Sequence, residues 1–331
     1  MKKNWIKFVT FCLILTAGLV CLDLFVFVEK DYATSYSCFY KEQENTLDYV
    51  VVGNSTVQEG IDPCLAWHEN GVTGYNISNK PTHLEVIVIA IDEIARTQKP
   101  KVVYVDINGI TYQKKSDQEK FVNDYVTDMP ECESRELLVK KYPYLQSVKK
   151  TQDKKEVFSY HNEFRKIKYW KTLSQDSFNY SKGFDPTFSV WKQKVHQIDK
   201  NKTLELPEDG KEYLVKILET CKKYPEINFV FGRMPRFSNE AVADEIFKLR
   251  SAVPIINSYG YTYVDWEDYN AEIGLDPKKD FRDINHMNIN GAQKFTRYFI
   301  SYLDQNFDIT NTTHSKETVD NFNNAYENYL K

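Results

Sequence analysis

Two short stretches carry residue types from which acyl-transfer chemistry can be built. "DYVVVGNSTVQEG", residues 48–60, runs three valines into Gly53, Asn54 and Ser55, so that a hydroxyl stands just past a strand-like segment. A serine hydroxyl is a poor nucleophile alone; it needs a base to accept its proton and a third group to orient that base. Of six histidines, His286 in "FRDINHMNINGAQKF" has the best surroundings, with Asp283 three residues earlier and a helical pattern just after. At that spacing a carboxylate reaches one imidazole nitrogen and leaves the other facing outward. His68, His83, His161, His196 and His314 lack a comparable local aspartate. No histidine pair stands at metal-ligand spacing, so neither a metal nor a cofactor is expected.

Each motif also has a plainer reading. Glycine and asparagine tolerate turns and serine hydrogen-bonds locally, so Gly-Asn-Ser after a strand is an ordinary turn sequence. Asp283 is equally suited to capping a helix, with His286 on the surface. Their order in the chain favours chemistry: the serine follows the first strand, and Asp-x-x-His lies between the last strand and the last long helix.

The elements that must position these residues are visible as an alternation. "YVVVG" (49–53), "GYNI" (74–77), "PKVVYVDI" (100–107), "INFVFG" (227–232) and "YTYVDW" (261–266) predict five strands. Helical spacing appears over 83–97 (Leu84, Ile87, Val88, Ile91, Ile94, Ala95), over 208–224 (Leu214, Ile217, Leu218, Cys221), over 239–250 and over 290–303. Such alternation predicts an α/β fold whose mainly parallel sheet is covered on both faces. Chemistry in these sheets occurs at the carboxyl ends of the strands, where Ser55 stands.

Residues 109–207 interrupt the pattern and are too long for a structureless loop, so a largely helical insertion or lid is expected. Its Trp170, Tyr180, Phe184 and Trp191 suit stacking on sugar rings, with Lys182 meeting anionic groups, or else form the insertion's own core; the core reading is favoured. Residues 31–47 read as a polar tether, 48–308 as the main domain, and 309–331 as a polar tail ending in a short helix.

With "GNS" at 53–55 and "DINH" at 283–286 set in this alternation from about 48 to 305, the chain resembles the SGNH/GDSL hydrolase superfamily. The resemblance implies a flavodoxin-like three-layer fold in which Ser55 attacks an ester carbonyl, His286 is the general base and Asp283 orients it. It also implies an oxyanion hole made by the N–H of Ser55, by Ser78 in "YNIS" and by Asn108 in "DING". Ser78 stands where the family has glycine, which requires local dihedrals that suit a side chain. Asn108 lacks the customary preceding glycine and is itself a turn former.

Composition and the N-terminus set the context. The 331 residues include 43 Lys+Arg against 47 Asp+Glu, a formal net charge of −4, which offers no basic field for nucleic acid. After Lys2, Lys3 and Lys7, residues 8–28 form an apolar run with only Asp23 charged, long enough to span the ~30 Å hydrocarbon layer. The run lacks the short apolar core and small-residue site of a cleaved signal, so an uncleaved signal anchor is expected. The lysines place its N-terminus in the cytoplasm and the main domain outside. Asp23, near the outer end of the run, either reaches the interface or marks a partner within the membrane. The six cysteines show no disulfide or zinc spacing. An anchored SGNH domain with a large insertion resembles the subgroup that accompanies membrane-bound O-acyltransferases and teichoic acid D-alanylation. That resemblance implies a cell-envelope polysaccharide or teichoic-acid-like polymer as substrate and a membrane-bound O-acyltransferase as partner. The alternative is a catalytically weak SGNH-like accessory protein that binds polymer for such a partner.

Overall fold

The computed structural model describes residues 2–26, 34–78, 82–129, 131–145, 180–199 and 201–330. The chain divides into two units, one of residues 1–32 with 138–176 and one of residues 33–137 with 177–331. In the first, helix α1 (Lys2–Val26) exposes Trp5, Ile6, Phe8, Phe11, Leu13 and Ile14. Its described side chains run from Asn4 to Gly18, and no helix of the described residues is long and apolar enough to cross a membrane.

The second unit opens with α2 (Ser35–Phe39), β1 (Tyr49–Gly53), α3 (Ser55–Gly60), α4 (Pro63–Asn70), β2 (Gly74–Ser78), α5 (Leu84–Thr97) and β3 (Val102–Asp106). Helices α6 (Gln118–Asp128) and α7 (Glu133–Lys141) begin the insertion. The alternation resumes with α8 (Glu208–Cys221), β4 (Asn228–Arg233), α9 (Ala243–Ser258), β5 (Thr262–Asp265), α10 (Asn270–Ile273), α11 (Ile289–Phe307) and α12 (Lys316–Asn328). The five strands form one sheet in the order β2-β1-β3-β4-β5, with every pairing parallel. This is the flavodoxin-like order, and the chain reverses its direction of travel across the sheet between β1 and β3, where such folds bind their ligands.

Burial on both faces explains why β1 and β3 read as continuous apolar runs rather than alternating ones, whereas the edge strand β5 leaves Thr262 exposed. Val50, Val51, Val52, Val102, Val103 and Val105 are all fully buried. One face of α11 supplies much of the cover: Phe299 meets Tyr49 and Tyr104 edge-on, and Phe295 meets Trp266 at 5.3 Å between ring centroids.

The flanking segments differ from their polar appearance in the sequence. Within the expected tether, α2 buries Tyr36, Cys38 and Phe39, because two aromatics in five residues suffice to seat a short helix on the domain. The expected tail ends in α12, which buries only Thr318, Phe322 and Ala325 yet docks on α4. There Trp67 donates to Asn323 at 2.9 Å and His68 stacks on Tyr326 at 3.9 Å. The Tyr329 hydroxyl donates to buried Asp62 at 3.0 Å.

Of the insertion expected to be largely helical, residues 146–179 lie outside the described residues. Its described part is helical through α6, α7 and short 3-10 turns, whereas residues 184–199 follow no regular element. Trp170 lies outside the described residues. Phe184 is buried, and so is Lys182, which pairs with Glu42 at 2.7 Å and lies over Phe322, so neither reaches solvent. Tyr180 and Trp191 are exposed.

Candidate active site

Ser55 owes its position to the residues on either side of it. Asn54 caps α3, its side-chain oxygen accepting the Thr56 N–H at 2.9 Å and the Thr56 hydroxyl at 2.6 Å. Ser55 is therefore the first helical residue, whose N–H has no acceptor within the helix. Gly53 is required by close approach: a Cβ there would lie 2.4 Å from Val57 Cγ2 and 2.8 Å from Asp106 Cβ. The turn of α3 thus sits directly against the ends of β1 and β3.

Asp283 and His286 come from a tight loop just before α11. Phe281 and Met287 form an antiparallel bridge across its base, and the Arg282 N–H donates to the His286 carbonyl at 3.0 Å. Inside the loop, one Asp283 oxygen accepts the backbone N–H groups of Asn285 at 2.8 Å and His286 at 2.9 Å. The imidazole Nδ1 lies 2.8 Å and 2.9 Å from the two carboxylate oxygens, and Nε2 lies 2.8 Å from Ser55 Oγ. A carboxylate only accepts, so Nδ1 carries the ring proton and Nε2 accepts from the serine hydroxyl. Burial by itself would raise the Asp283 pKa. The hydrogen bond from the His286 ring and the Asn285 N–H outweigh it and bring the carboxyl down to about 2.

Three side chains that support this loop were not read from the sequence. Arg282 Nη1 pairs with Asp283 at 2.8 Å, and its other nitrogens grip the fully buried Glu59. Glu59 is four residues after Ser55 on α3, a helical spacing that puts both on one face, so this partner had a sequence signal. Gln193, from the irregular part of the insertion, donates to the Asp283 carbonyl at 2.9 Å. Nothing in the sequence ties Gln193 to Asp283.

The expected oxyanion donors fare differently. Asn108 opens the turn after β3, beside the end of β1. Its amide nitrogen lies 3.5 Å from Glu245, which also takes a hydrogen bond from buried Arg236 at 3.3 Å. Arg236 in turn donates to Asn285 at 3.2 Å, joining the Asn108 side of the site to the Asp283–His286 loop. Asp106 accepts the backbone N–H groups of Asn108 at 3.1 Å and Met234 at 3.3 Å, and its burial pushes its carboxyl up to about 6. Ser78 ends β2 in register with Gly53, but its N–H is donated to the Ser35 hydroxyl at 3.1 Å. That bond, made possible by α2, takes up the donor expected at this position.

Among the described residues no group of three histidine, cysteine or acidic side chains is placed to hold a metal ion. Fold and geometry define a doubly wound α/β protein with a hydrogen-bonded Ser-His-Asp chain at the carboxyl edge of its sheet. No protein-family model matches the sequence, and no curated protein is significantly similar to it.

Proposed function

We propose that this chain is a serine esterase or O-acyltransferase of the SGNH type. The observation that carries the reading is the continuous chain from Ser55 Oγ through the His286 ring to the Asp283 carboxylate, with both links at 2.8 Å. In this reading Nε2 takes the hydroxyl proton as Ser55 Oγ bonds to an ester carbonyl carbon. Asp283 holds the ring in the reactive tautomer and stabilises the imidazolium that forms. The tetrahedral oxygen is met by the Ser55 N–H at the start of α3 and by the Asn108 amide. His286 then returns the proton to the departing alkoxide, leaving an acyl-serine. Water or a sugar hydroxyl, deprotonated by the same nitrogen, releases the acyl group, and exclusion of water from the site decides between the two.

The exposed apolar side chains of α1 support an N-terminal membrane anchor with the catalytic domain outside the cytoplasm. Acyl groups on a cell-envelope polysaccharide or teichoic-acid-like polymer then become the substrates within reach, and a membrane-bound O-acyltransferase the natural partner. A second reading has one observation in its favour. With the Ser78 N–H donated to Ser35, the hole has one donor fewer, and each such donor is typically worth ~10² to 10³ in rate. The chain would then be an accessory protein that binds polymer and turns over esters slowly. Hydrolysis of p-nitrophenyl acetate by the purified full-length protein tests the choice. A burst of nitrophenol equal to the enzyme concentration supports the acyl-enzyme, and release no faster than buffer supports the accessory role.

A further inference from the structure

Residues 187–196 run beside the loop that carries Asp283 and His286 and are tied to it at several points. The Ile289 N–H donates to the Thr187 carbonyl at 2.8 Å, Trp191 N–H to Phe281 at 2.8 Å, and Gln193 N–H to Pro277 at 2.9 Å. The Gln193 side chain reaches the Asp283 carbonyl itself, so Trp191 stands two residues from an atom that touches the triad loop. Fixed in this way, the strap exposes large apolar side chains: Phe188 is 68% exposed, Val190 54%, Trp191 46% and Val195 52%. Lys192 and Lys194 are exposed among them.

The charges of these lysines distinguish the strap from the rest of the site. Arg282 is neutralised by Glu59 and Asp283, Arg236 by Glu245, and Lys294 by Asp280. Lys192 and Lys194 form no ion pair among the described residues, in a chain whose formal charge is −4. An apolar patch that the fold leaves open marks a binding surface, and unneutralised cations within it select an anionic ligand. Aromatic faces accept flat, weakly polar surfaces such as those of sugar rings.

We propose that this strap is the track along which the substrate chain lies, and that the chain is an anionic saccharide polymer. Sugar faces stack on Phe188 and Trp191, while phosphate or carboxylate groups along the polymer meet Lys192 and Lys194. The inference rests on the esterase reading for its claim that the bound chain is the substrate; the binding itself stands apart from it. A polymer held there passes beside the Asp283–His286 loop and presents its acyl groups to Ser55.

The test uses the full-length protein in a nonionic detergent, titrated calorimetrically with phosphorylated dextran, carboxymethyl dextran and unmodified dextran. Trp191→Ala and the pair Lys192→Gln/Lys194→Gln are each expected to weaken binding of an anionic dextran about tenfold, with p-nitrophenyl acetate turnover unchanged. The lysine contribution should fade as salt shortens the screening length. Whichever anionic dextran binds more tightly identifies phosphate or carboxylate as the recognised group. Unmodified dextran binding as tightly as both would overturn the anionic assignment, and anionic dextrans binding both variants like the wild type would overturn the track. Loss of binding only to vesicles of phosphatidylglycerol and phosphatidylcholine would make the strap a membrane-contacting surface instead. If the variants lose dextran binding while no form of the protein turns over esters, the strap stands and the esterase reading fails.

Discussion

Gly53→Ala tests whether the nucleophile is held by packing against the end of the sheet. The added methyl would sit 2.4 Å from Val57 Cγ2 and 2.8 Å from Asp106 Cβ, against a comfortable carbon separation of ~3.5 to 4.0 Å. Both neighbours belong to the site's frame, since Val57 is on α3 with Ser55 and Asp106 anchors the turn of Asn108. Overpacking of this kind costs about 1 to 3 kcal/mol, which lowers Tm by about 2 to 4 °C for each kcal/mol in a domain of this size. Because α3 must move to relieve the contact, Ser55 moves with it, and a displacement near 1 Å costs about 10² in rate. Thermal unfolding and ester turnover, measured together, should therefore both fall. Val57→Ala removes the nearer contact and leaves Asp106, so the double variant should be more stable than the sum of the single effects by about 1 kcal/mol. Wild-type Tm and turnover in Gly53→Ala, or strictly additive effects in the double variant, would refute the reasoning.

Asp283→Asn keeps an oxygen for the loop's N–H groups but offers an amide N–H to the imidazole, which forces the ring proton onto Nε2; kcat should drop about 10⁴-fold, and a loss below tenfold contradicts the assigned role. Arg282→Met removes the guanidinium that pairs with the buried Glu59 and should cost about 1 to 3 kcal/mol in denaturant unfolding, a cost that Glu59→Gln in the same chain reduces; an Arg282→Met chain as stable as wild type would contradict it. Asp62 is pushed up to about 6 by burial, against the hydrogen bonds from Leu65 and Tyr329, so between about pH 4 and 6 the folded chain holds a proton that the unfolded chain releases. Stability from this group is fully present below about pH 4 and is lost as pH rises through 6, by about 3 kcal/mol at most. Asp62→Asn retains the cap on α4, so its Tm should overtake that of the wild type above pH 6; parallel Tm curves from pH 4 to 8 would count against it.

The sheet was legible because its inner strands are buried on both faces, so that the apolar runs of β1, β3 and β4 stand out, and helical spacing between the strands marks the covering layers. The Ser55–His286–Asp283 chain was legible because two of its members share one loop and the third stands at the end of a strand. Contacts made across the fold left no such trace. The Ser35 hydroxyl takes the Ser78 N–H only because Tyr36, Cys38 and Phe39 seat α2 on the domain, and five residues in a polar stretch show no period long enough to announce it. Docking of α12 rests on Phe322 and Ala325, too few apolar positions to stand out in a tail rich in Asn and Glu. Gln193 reaches the triad loop from within an insertion that has no regular element at that point, so spacing carried no information about it.

The central claim is that Ser55 is a nucleophile activated by His286. Its most direct test is incubation of the purified full-length protein with a fluorescent alkyl fluorophosphonate, followed by mass analysis of the modified peptide. The account predicts one adduct, on Ser55, formed rapidly in the wild type, absent in Ser55→Ala and strongly slowed in His286→Ala. A wild-type protein that stays unlabelled, or a Ser55→Ala protein labelled as fast as the wild type, would contradict it.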